Sequence, residues 1–218
     1  MIPDDREKIF ASIRRGLRSS KGSNTGVASA SPAREISDDL SGRKLDEFKA
    51  ELTKLGGEVF IADNSNTALN YLLSKFGHDN RLFIHEDVTK YYRDVVERIR
   101  EKAEVKIESD FLKGYDVREA SVFDMVISTC AACVAETGTI VLSNKMRLPA
   151  ALAQTLVVIV DPVQLLDTLD DLFTIKFSEH TGSNLFLVTG PSRTADIEKE
   201  LVTGVHGPKH VIVIFQKR

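Results

Sequence analysis

From residue 44 onward, short apolar strands alternate with helical segments, and this alternation restricts the fold of the chain more than any other feature. TLVVIVD (155–161) and HVIVIF (210–215) are almost continuously apolar, as in strands that are buried on both faces. KLDEFKAELTKLGG (44–57) has leucine and phenylalanine at helical spacing and ends in a glycine pair. The pattern predicts an α/β domain whose largely parallel sheet is covered on both faces.

The remaining elements follow from the same two periodicities. Further strands are predicted at 58–63, 81–86, 105–109, 122–129, 139–144 and 184–190, and further helices at 66–77, 87–103, 148–154, 161–173 and 194–202. The apolar stretch TIVL (139–142) follows the strand before it too closely for a crossover helix. We therefore expect one antiparallel, hairpin-like pairing at that point.

Residues 1–43 differ in character from the rest of the chain. Ile9, Ile13 and Leu17 recur every four residues among basic side chains, which predicts a short amphipathic helix. A stretch rich in serine, glycine and alanine follows and is typical of a flexible linker. We expect an N-terminal helical arm and linker over 1–43 and the α/β domain over 44–218. Such an arm docks onto a partner, onto another subunit of a homo-oligomer, or onto its own core, and the sequence leaves these alternatives open. A membrane-surface helix is a further alternative, but the apolar stripe is short and has no tryptophan.

The composition is that of an ordinary globular protein, with 42% hydrophobic residues and a net charge of −3. Nucleic-acid binding is not expected, because a nucleic-acid-binding domain is normally basic. No apolar stretch reaches the roughly 18–20 residues that a membrane span needs. The N-terminus is charged throughout and lacks the apolar region of a secretion signal. These features predict a cytoplasmic protein without a membrane span.

The stretch AETGTIVLSN (135–144) places an acid and two hydroxyls around a glycine turn at the entrance of an apolar strand. Gly138 permits the sharp turn. Glu136, Thr137 and Thr139 then either face a ligand or cap the turn with local hydrogen bonds. Glu136 is the candidate catalytic residue, and the other three are candidate ligand-binding residues.

The stretch GPSRTADIE (190–198) is the second candidate site. If a strand ends there and a helix begins, free N–H groups at the helix start, with Ser192 and Arg193 beside them, would form an anion site. Acidic residues in the same first turn favour a carboxylate over a phosphate, and plain helix capping is the alternative. His206, in GVHGPKH (204–210), either faces a ligand or forms hydrogen bonds within its own loop.

Cys130 and Cys133 form a single C-x-x-C pair and are the only cysteines. Zinc needs two further ligands and an iron–sulfur cluster needs four thiolates, so neither is expected from this pair alone. Redox use of the pair remains open beside a role as small apolar filler in a tight turn. No glycine-rich nucleotide motif or hydrolase motif is present, and we predict neither a cofactor nor a metal.

The chain resembles the lactate-utilisation protein C family, whose domain is called the LUD domain, in three long stretches that occur in the same order: AETGTIVLSN, LPAALAQTLVVIVDP and SNLFLVTGPSRTADIEKELVTGVHGP. The resemblance implies a three-layer α/β fold of the NagB/RpiA/CoA-transferase-like type. It also implies a role in bacterial oxidation of L-lactate to pyruvate alongside two iron–sulfur partner proteins. Family members often have small or acidic residues in place of Cys130 and Cys133, so the C-x-x-C pair departs from the family pattern.

The resemblance also bears on the candidate sites. Members of the wider fold superfamily bind sugar phosphates, folates or acyl-CoA at strand ends, and some use a glutamate nucleophile. This implies that the turn at Glu136 forms one wall of a pocket, Ser192 with Arg193 a second, and His206 a third. Two hypotheses result. The first is an accessory or assembly subunit of a lactate-oxidising system. The second is an enzyme of the CoA-transferase-like or folate cyclo-ligase-like class that acts on a small carboxylate or acyl-CoA through Glu136.

Overall fold

A computed structural model of the chain describes residues 38–75, 81–101, 104–107, 123–175, 184–197, 200–203 and 207–216. The predicted N-terminal helix, most of the predicted linker and His206 lie outside these ranges. The described residues form twelve strands: β1 (Glu58–Ala62), β2 (Arg81–Ile84), β3 (Glu104–Ile107), β4 (Met125–Thr129), β5 (Ala132–Val134), β6 (Thr139–Ser143), β7 (Thr155–Val160), β8 (Leu165–Leu166), β9 (Leu185–Val188), β10 (Arg193–Ile197), β11 (Glu200–Thr203) and β12 (His210–Gln216). They also form six α-helices: α1 (Asp38–Lys54), α2 (Ser65–Ser74), α3 (Glu86–Tyr91), α4 (Arg93–Arg100), α5 (Arg147–Leu152) and α6 (Leu169–Thr174).

A six-stranded sheet in the order β1-β12-β7-β4-β2-β3 lies at the centre, and every neighbouring pair in it is parallel. The central strand β7 is buried from Leu156 to Val160. β12 is buried from Val211 to Gln216. Such nearly uniform burial explains why these strands are continuous apolar runs in the sequence, since side chains on both faces lie in the core.

Helices α2, α3 and α4 cover one face of this sheet. Leu72 of α2 and Ile99 of α4 belong to one buried cluster with Ile127, Ile159 and Ile214 of the sheet. The leucine and valine positions at helical spacing therefore serve as the apolar stripe that holds these helices against the strands.

The other face is covered by α1, α5 and a smaller sheet with the strand order β8-β5-β6-β9. Phe48 of α1 and Ile140 of β6 share a buried cluster with Val158 and Phe215 of the central sheet. The rings of Phe48 and Phe215 meet edge to face at 5.4 Å between centroids. The result is three layers around a mostly parallel sheet, and the predicted fold class is confirmed. The antiparallel pairing expected near residues 139–142 is also confirmed, because β6 runs antiparallel to both β5 and β9.

Two predicted helices are wrong. Within the predicted helix 194–202, the described residues 194–197 and 200–202 belong to β10 and β11, which pair as antiparallel strands with Thr194 opposite Val202. Residues 161–173 are interrupted: a 3₁₀ turn over Pro162–Gln164 leads into β8, which pairs with β5, and α6 begins only at Leu169. Helix propensities differ by only about 0.7 kcal/mol per residue among ordinary residues, so strand pairing overrides them.

Two predicted boundaries also shift. The predicted helix over 87–103 is divided into α3 and α4 at Tyr92, whose ψ of 46° is not helical. α1 begins at Asp38, within the last residues of the predicted linker. Throughout the described ranges, every helix falls short of the length and apolar content that a membrane span requires.

Candidate functional site

The glycine turn of the sequence packs closely against helix α1. Gly138 has a φ of +63°, and a Cβ at this position would lie 2.6 Å from the backbone nitrogen of Leu52. Only glycine combines this backbone angle with so close an approach. The turn therefore holds β6 against α1, and this contact accounts for the glycine in AETGTIVL.

Glu136 is exposed, and its carboxylate lies at the start of α6. Its Oε2 accepts a hydrogen bond from the backbone N–H of Leu169 at 3.0 Å, and its own N–H donates to the carbonyl of Asp167 at 3.0 Å. A carboxylate at a helix N-terminus is favourable, because it satisfies a free donor and interacts with the helix dipole. The carboxylate thus caps a helix distant in sequence and not the turn in which Glu136 lies.

A chain of three hydroxyls joins the glycine turn to the end of β9. The Thr137 and Thr139 hydroxyl oxygens lie 2.7 Å apart, and those of Thr139 and Thr189 lie 2.9 Å apart. β6 and β9 are neighbours, with Ile140 opposite Val188. The turn before β6 and the turn after β9 therefore lie at the same end of the smaller sheet.

Arg193 and Ser192 both make contacts near the starts of central strands. Arg193 Nη2 donates to the carbonyl of Leu55 at 2.6 Å, and the Ser192 N–H donates to the carbonyl of Pro208 at 2.8 Å. Leu55 precedes β1 and Pro208 precedes β12, so these contacts lie at the amino edge of the central sheet. Because β10 starts at Arg193, the predicted helix start is absent, and an anion site built on helix N–H groups at Ser192 is ruled out.

The carboxyl edge of the central sheet is arranged differently. After β1 and β2 the chain turns into helices on one face, and after β4 and β7 it turns towards the smaller sheet on the other face. Connections that leave in opposite directions create a crevice between them, and ligands bind at such places in open parallel sheets. The crevice is thus bordered by the segments after β1, β2, β4 and β7 and by the end of β12.

Polar side chains that the sequence analysis did not single out lie along this edge. His85 directly follows β2, is 5% exposed, and its Nδ1 accepts a hydrogen bond from the Asp87 N–H at 3.3 Å. Glu86 lies 3.6 Å from Lys145 Nζ, which comes from the segment after β6. Gln216 ends β12, is 3% exposed, and its side-chain nitrogen donates to Ser65 Oγ at 2.7 Å.

A signal for these residues was present in the sequence. The strand RLFI is followed directly by His-Glu-Asp, and the last strand ends in a polar glutamine after six largely apolar residues. A polar side chain at the carboxyl end of a buried parallel strand lies at the edge of the sheet where ligands bind. The order of the strands, which brings these ends together, could not be read from either stretch alone.

The cysteine pair lies at the same edge but is buried. Cys130 follows β4 and Cys133 lies on β5, with 3.7 Å between their sulfur atoms. Burial, together with the neighbouring Cys130, raises the pKa of the Cys133 thiol well above its usual value. A thiol in this state is a poor nucleophile and a poor metal ligand, since both roles require the thiolate. Among the described residues, no group of three or more histidine, cysteine or acidic side chains is placed to hold a metal ion.

Comparisons with known proteins agree with this architecture. The model of the LUD domain family matches residues 45–215. Lactate utilization protein C 1 of Bacillus mycoides (strain KBAB4) is 34% identical over 104 residues, or 44% of each chain. Lactate utilization protein C of Anoxybacillus flavithermus (strain DSM 21510 / WK1) is 37% identical over 78 residues, or 34% of this chain and 36% of the relative. The matched segment therefore spans less than half of these curated relatives.

A solved structure shares the fold. The crystal structure of a DUF162 family protein from Deinococcus radiodurans superposes with a TM-score of 0.58 at 17% identity, covering 80% of this chain and 97% of that one. At this identity the likeness concerns the fold alone. The family match, in contrast, extends over nearly the whole α/β domain, from α1 to β12. The chain belongs to the LUD domain family.

Proposed function

We propose that this chain acts in lactate utilisation, in the oxidation of L-lactate to pyruvate. The observation that carries the proposal is that the family match covers the α/β domain and the curated relatives bear the name lactate utilization protein C. A crevice at the carboxyl edge of a parallel sheet, bordered by polar side chains, is compatible with a small carboxylate ligand. The relatives align over less than half their length, so the experiment has to test the role in this chain itself.

The chain is proposed to be an accessory or assembly subunit beside iron–sulfur partner proteins, which would carry the electrons. The contacts of the candidate site residues Glu136 and Arg193, and the burial of Cys133, support this role. Glu136 caps α6, Arg193 bonds the end of α1, and the Cys133 thiol is buried with a raised pKa. The Glu136 carboxylate is engaged at the start of α6 and burial disfavours the thiolate of Cys133, so neither is activated as a nucleophile or base would be.

Gene deletion with complementation tests the proposed role. We expect a strain that lacks this chain to lose growth on L-lactate as sole carbon source and to keep normal growth on pyruvate. The wild-type chain and the Glu136→Gln variant should both restore growth on L-lactate. Undiminished growth of the deletion strain on L-lactate would contradict the proposal, and a Glu136→Gln chain that is folded but fails to complement would favour the enzyme hypothesis.

Copurification tests the partner proteins. The full chain should retain iron–sulfur proteins from lactate-grown cells, and Ile13→Asp in the predicted amphipathic helix should reduce the amount retained. Arg14→Ala, a change beside it on the charged surface, is the matched control and should have no effect. Equal retention by the Ile13→Asp and wild-type chains would count against docking through this helix.

A further inference from the structure

The start of α2, at the carboxyl end of β1, presents free hydrogen-bond donors. Within the described part of the chain, the N–H groups of Ser65 and Asn66 have no acceptor, whereas the N–H of Thr67 bonds to the Asn64 side chain. Ser65 and Asn66 are exposed, and the first turn holds no acidic side chain. The positive end of the helix dipole adds to these donors, so the position favours an anion.

The side chain of Gln216 is directed at this helix start from the neighbouring strand. It is 3% exposed, and its Nε2 donates to Ser65 Oγ at 2.7 Å. Its Oε1 is buried and has no hydrogen-bond partner in the described structure. A buried acceptor without a donor is unfavourable, and native proteins rarely leave one. The Gln216 amide is therefore incomplete without a further polar group.

The polar group that would complete the Gln216 amide must suit either orientation of that amide. A 180° flip of the Gln216 amide exchanges its oxygen and nitrogen. The Ser65 hydroxyl then donates to the oxygen, and the nitrogen becomes the atom without a partner. A hydroxyl satisfies either arrangement, because it both donates and accepts. The ligand that fits is one with a hydroxyl a few ångströms from an anionic group.

A positive side chain lies beside the same helix turn. Arg98 of α4 donates from Nη1 to the Asn66 side-chain oxygen at 3.3 Å. Two acidic side chains lie on the same edge of the sheet: Asp63 is exposed and precedes the capping Asn64, and Asp161 follows β7, the neighbour of β12, where it caps the 3₁₀ turn. A solvated carboxylate outside the helix is screened by water, whereas the free N–H groups point along the helix axis towards a ligand.

We propose that the carboxyl ends of β1 and β12 form the binding site of a small 2-hydroxy carboxylate. The carboxylate takes the N–H groups of Ser65 and Asn66 beside Arg98, and the hydroxyl bonds to the Gln216 amide. This assignment rests on the proposed function, which makes L-lactate the ligand to test. It places the ligand in the crevice at the carboxyl edge and away from the Glu136 turn.

Calorimetric titration of the full chain with sodium L-lactate and with sodium propionate tests the site. Propionate has the same carboxylate and carbon count but no hydroxyl. One net hydrogen bond contributes about 0.5–1.5 kcal/mol, so lactate should bind about fivefold more tightly than propionate. Gln216→Met keeps the length of the side chain and removes both polar atoms. This variant should lower the affinity for lactate to the level of the affinity for propionate, and the affinity for propionate should stay the same.

Three further variants test the contacts that the site makes with the carboxylate. Arg98→Gln should lower the affinity for lactate and the affinity for propionate by the same factor. Arg100→Gln changes an exposed arginine on the same helix and is the matched control. Ser65→Pro removes one free N–H at the first helical position, where proline is tolerated after the extended Asn64, so the helix stays intact. It also removes the hydroxyl that bonds to Gln216, so it should lower the affinity for both acids and reduce the preference for lactate.

The outcomes are decisive for the site. Equal affinities for lactate and propionate, or a folded Gln216→Met chain that still prefers lactate, would overturn it. If lactate fails to bind here while the deletion strain cannot grow on lactate, the site is wrong and the proposed function stands. If lactate binds with the predicted dependence on Gln216 and the deletion strain still grows, the proposed function is wrong and the site stands.

Discussion

At the scale of single residues, Gly138 shows how a neighbouring element restricts the choice of amino acid. We expect Gly138→Ala to lower the free energy of unfolding by about 1–3 kcal/mol, since it combines a positive φ with a Cβ 2.6 Å from the Leu52 nitrogen. Gly42→Ala in α1 is the matched control. A Cβ there meets nothing within 4 Å, and alanine should stabilise the helix by about 0.5–1 kcal/mol. Urea unfolding of both variants measures the two changes, and equal effects would contradict the packing of Gly138 against α1.

Glu136 is expected to act on stability more than on chemistry. Glu136→Ala removes the acceptor of the Leu169 N–H and should cost about 1 kcal/mol of unfolding free energy, as for other lost helix caps. Glu136→Gln keeps an oxygen acceptor and should cost less. The measurement is urea unfolding of both variants. Stabilities equal to that of the wild type would contradict the capping role.

At the scale of elements, a polar and aromatic contact joins α2 to β1. The Tyr71 hydroxyl donates to Glu58, and Lys75 Nζ lies 2.6 Å from the same carboxylate. The Tyr71 ring stacks on Phe60 with 3.9 Å between centroids. Burial and the hydrogen bond to Glu58 raise the pKa of Tyr71 to about 12. For Glu58, burial acts upward, but the hydrogen bonds from Lys75 and Tyr71 outweigh it and lower the pKa.

This contact predicts a late tyrosine titration. Since the folded pKa of Tyr71 exceeds the ordinary value of 10.0, its contribution to stability is complete below pH 10 and is lost as the pH rises towards 12. Ultraviolet titration should show tyrosine ionisation near pH 12, and Tyr71→Phe should reduce the absorbance change there by the amount of one tyrosine. Glu58→Gln should move the step to lower pH. A titration in which Tyr71→Phe changes only steps near pH 10 would contradict the contact.

The elements that the sequence predicted well are those whose pattern is local. The central strands are apolar runs because both faces are buried, and the glycine pair after α1 marks its end. Residues 165–166 are predicted as helix because the strand that they pair with lies far away in the sequence, whereas residues 194–202 contain both strands of a hairpin and are rich in residues that also favour a helix. β10 is a strand through pairing with β11, and β8 through pairing with β5, 32 residues earlier in the register Cys133 to Leu165.

At the scale of the whole molecule, the rule that ligands bind at the carboxyl edge of a parallel sheet locates the candidate site better than the individual motifs do. The sequence correctly placed Cys130 just after a buried strand, but it could not show that the following residues leave for a second sheet. The Glu136 and Arg193 turns lie at one end of that second sheet, and both pack on α1. The segments after β1, β2 and β12 lie together because of a strand order that no local stretch encodes.

Amide NMR of the isotopically labelled full chain, titrated with L-lactate, tests most directly where the molecule binds its ligand. The carboxyl-edge site predicts that the largest shifts occur at the backbone amides of Ser65 and Asn66 and at the side-chain amide of Gln216. It also predicts that residues 136–139 and 192–193 stay nearly unchanged. Shifts concentrated at Glu136, Thr137 and Arg193, with the start of α2 unaffected, would contradict it.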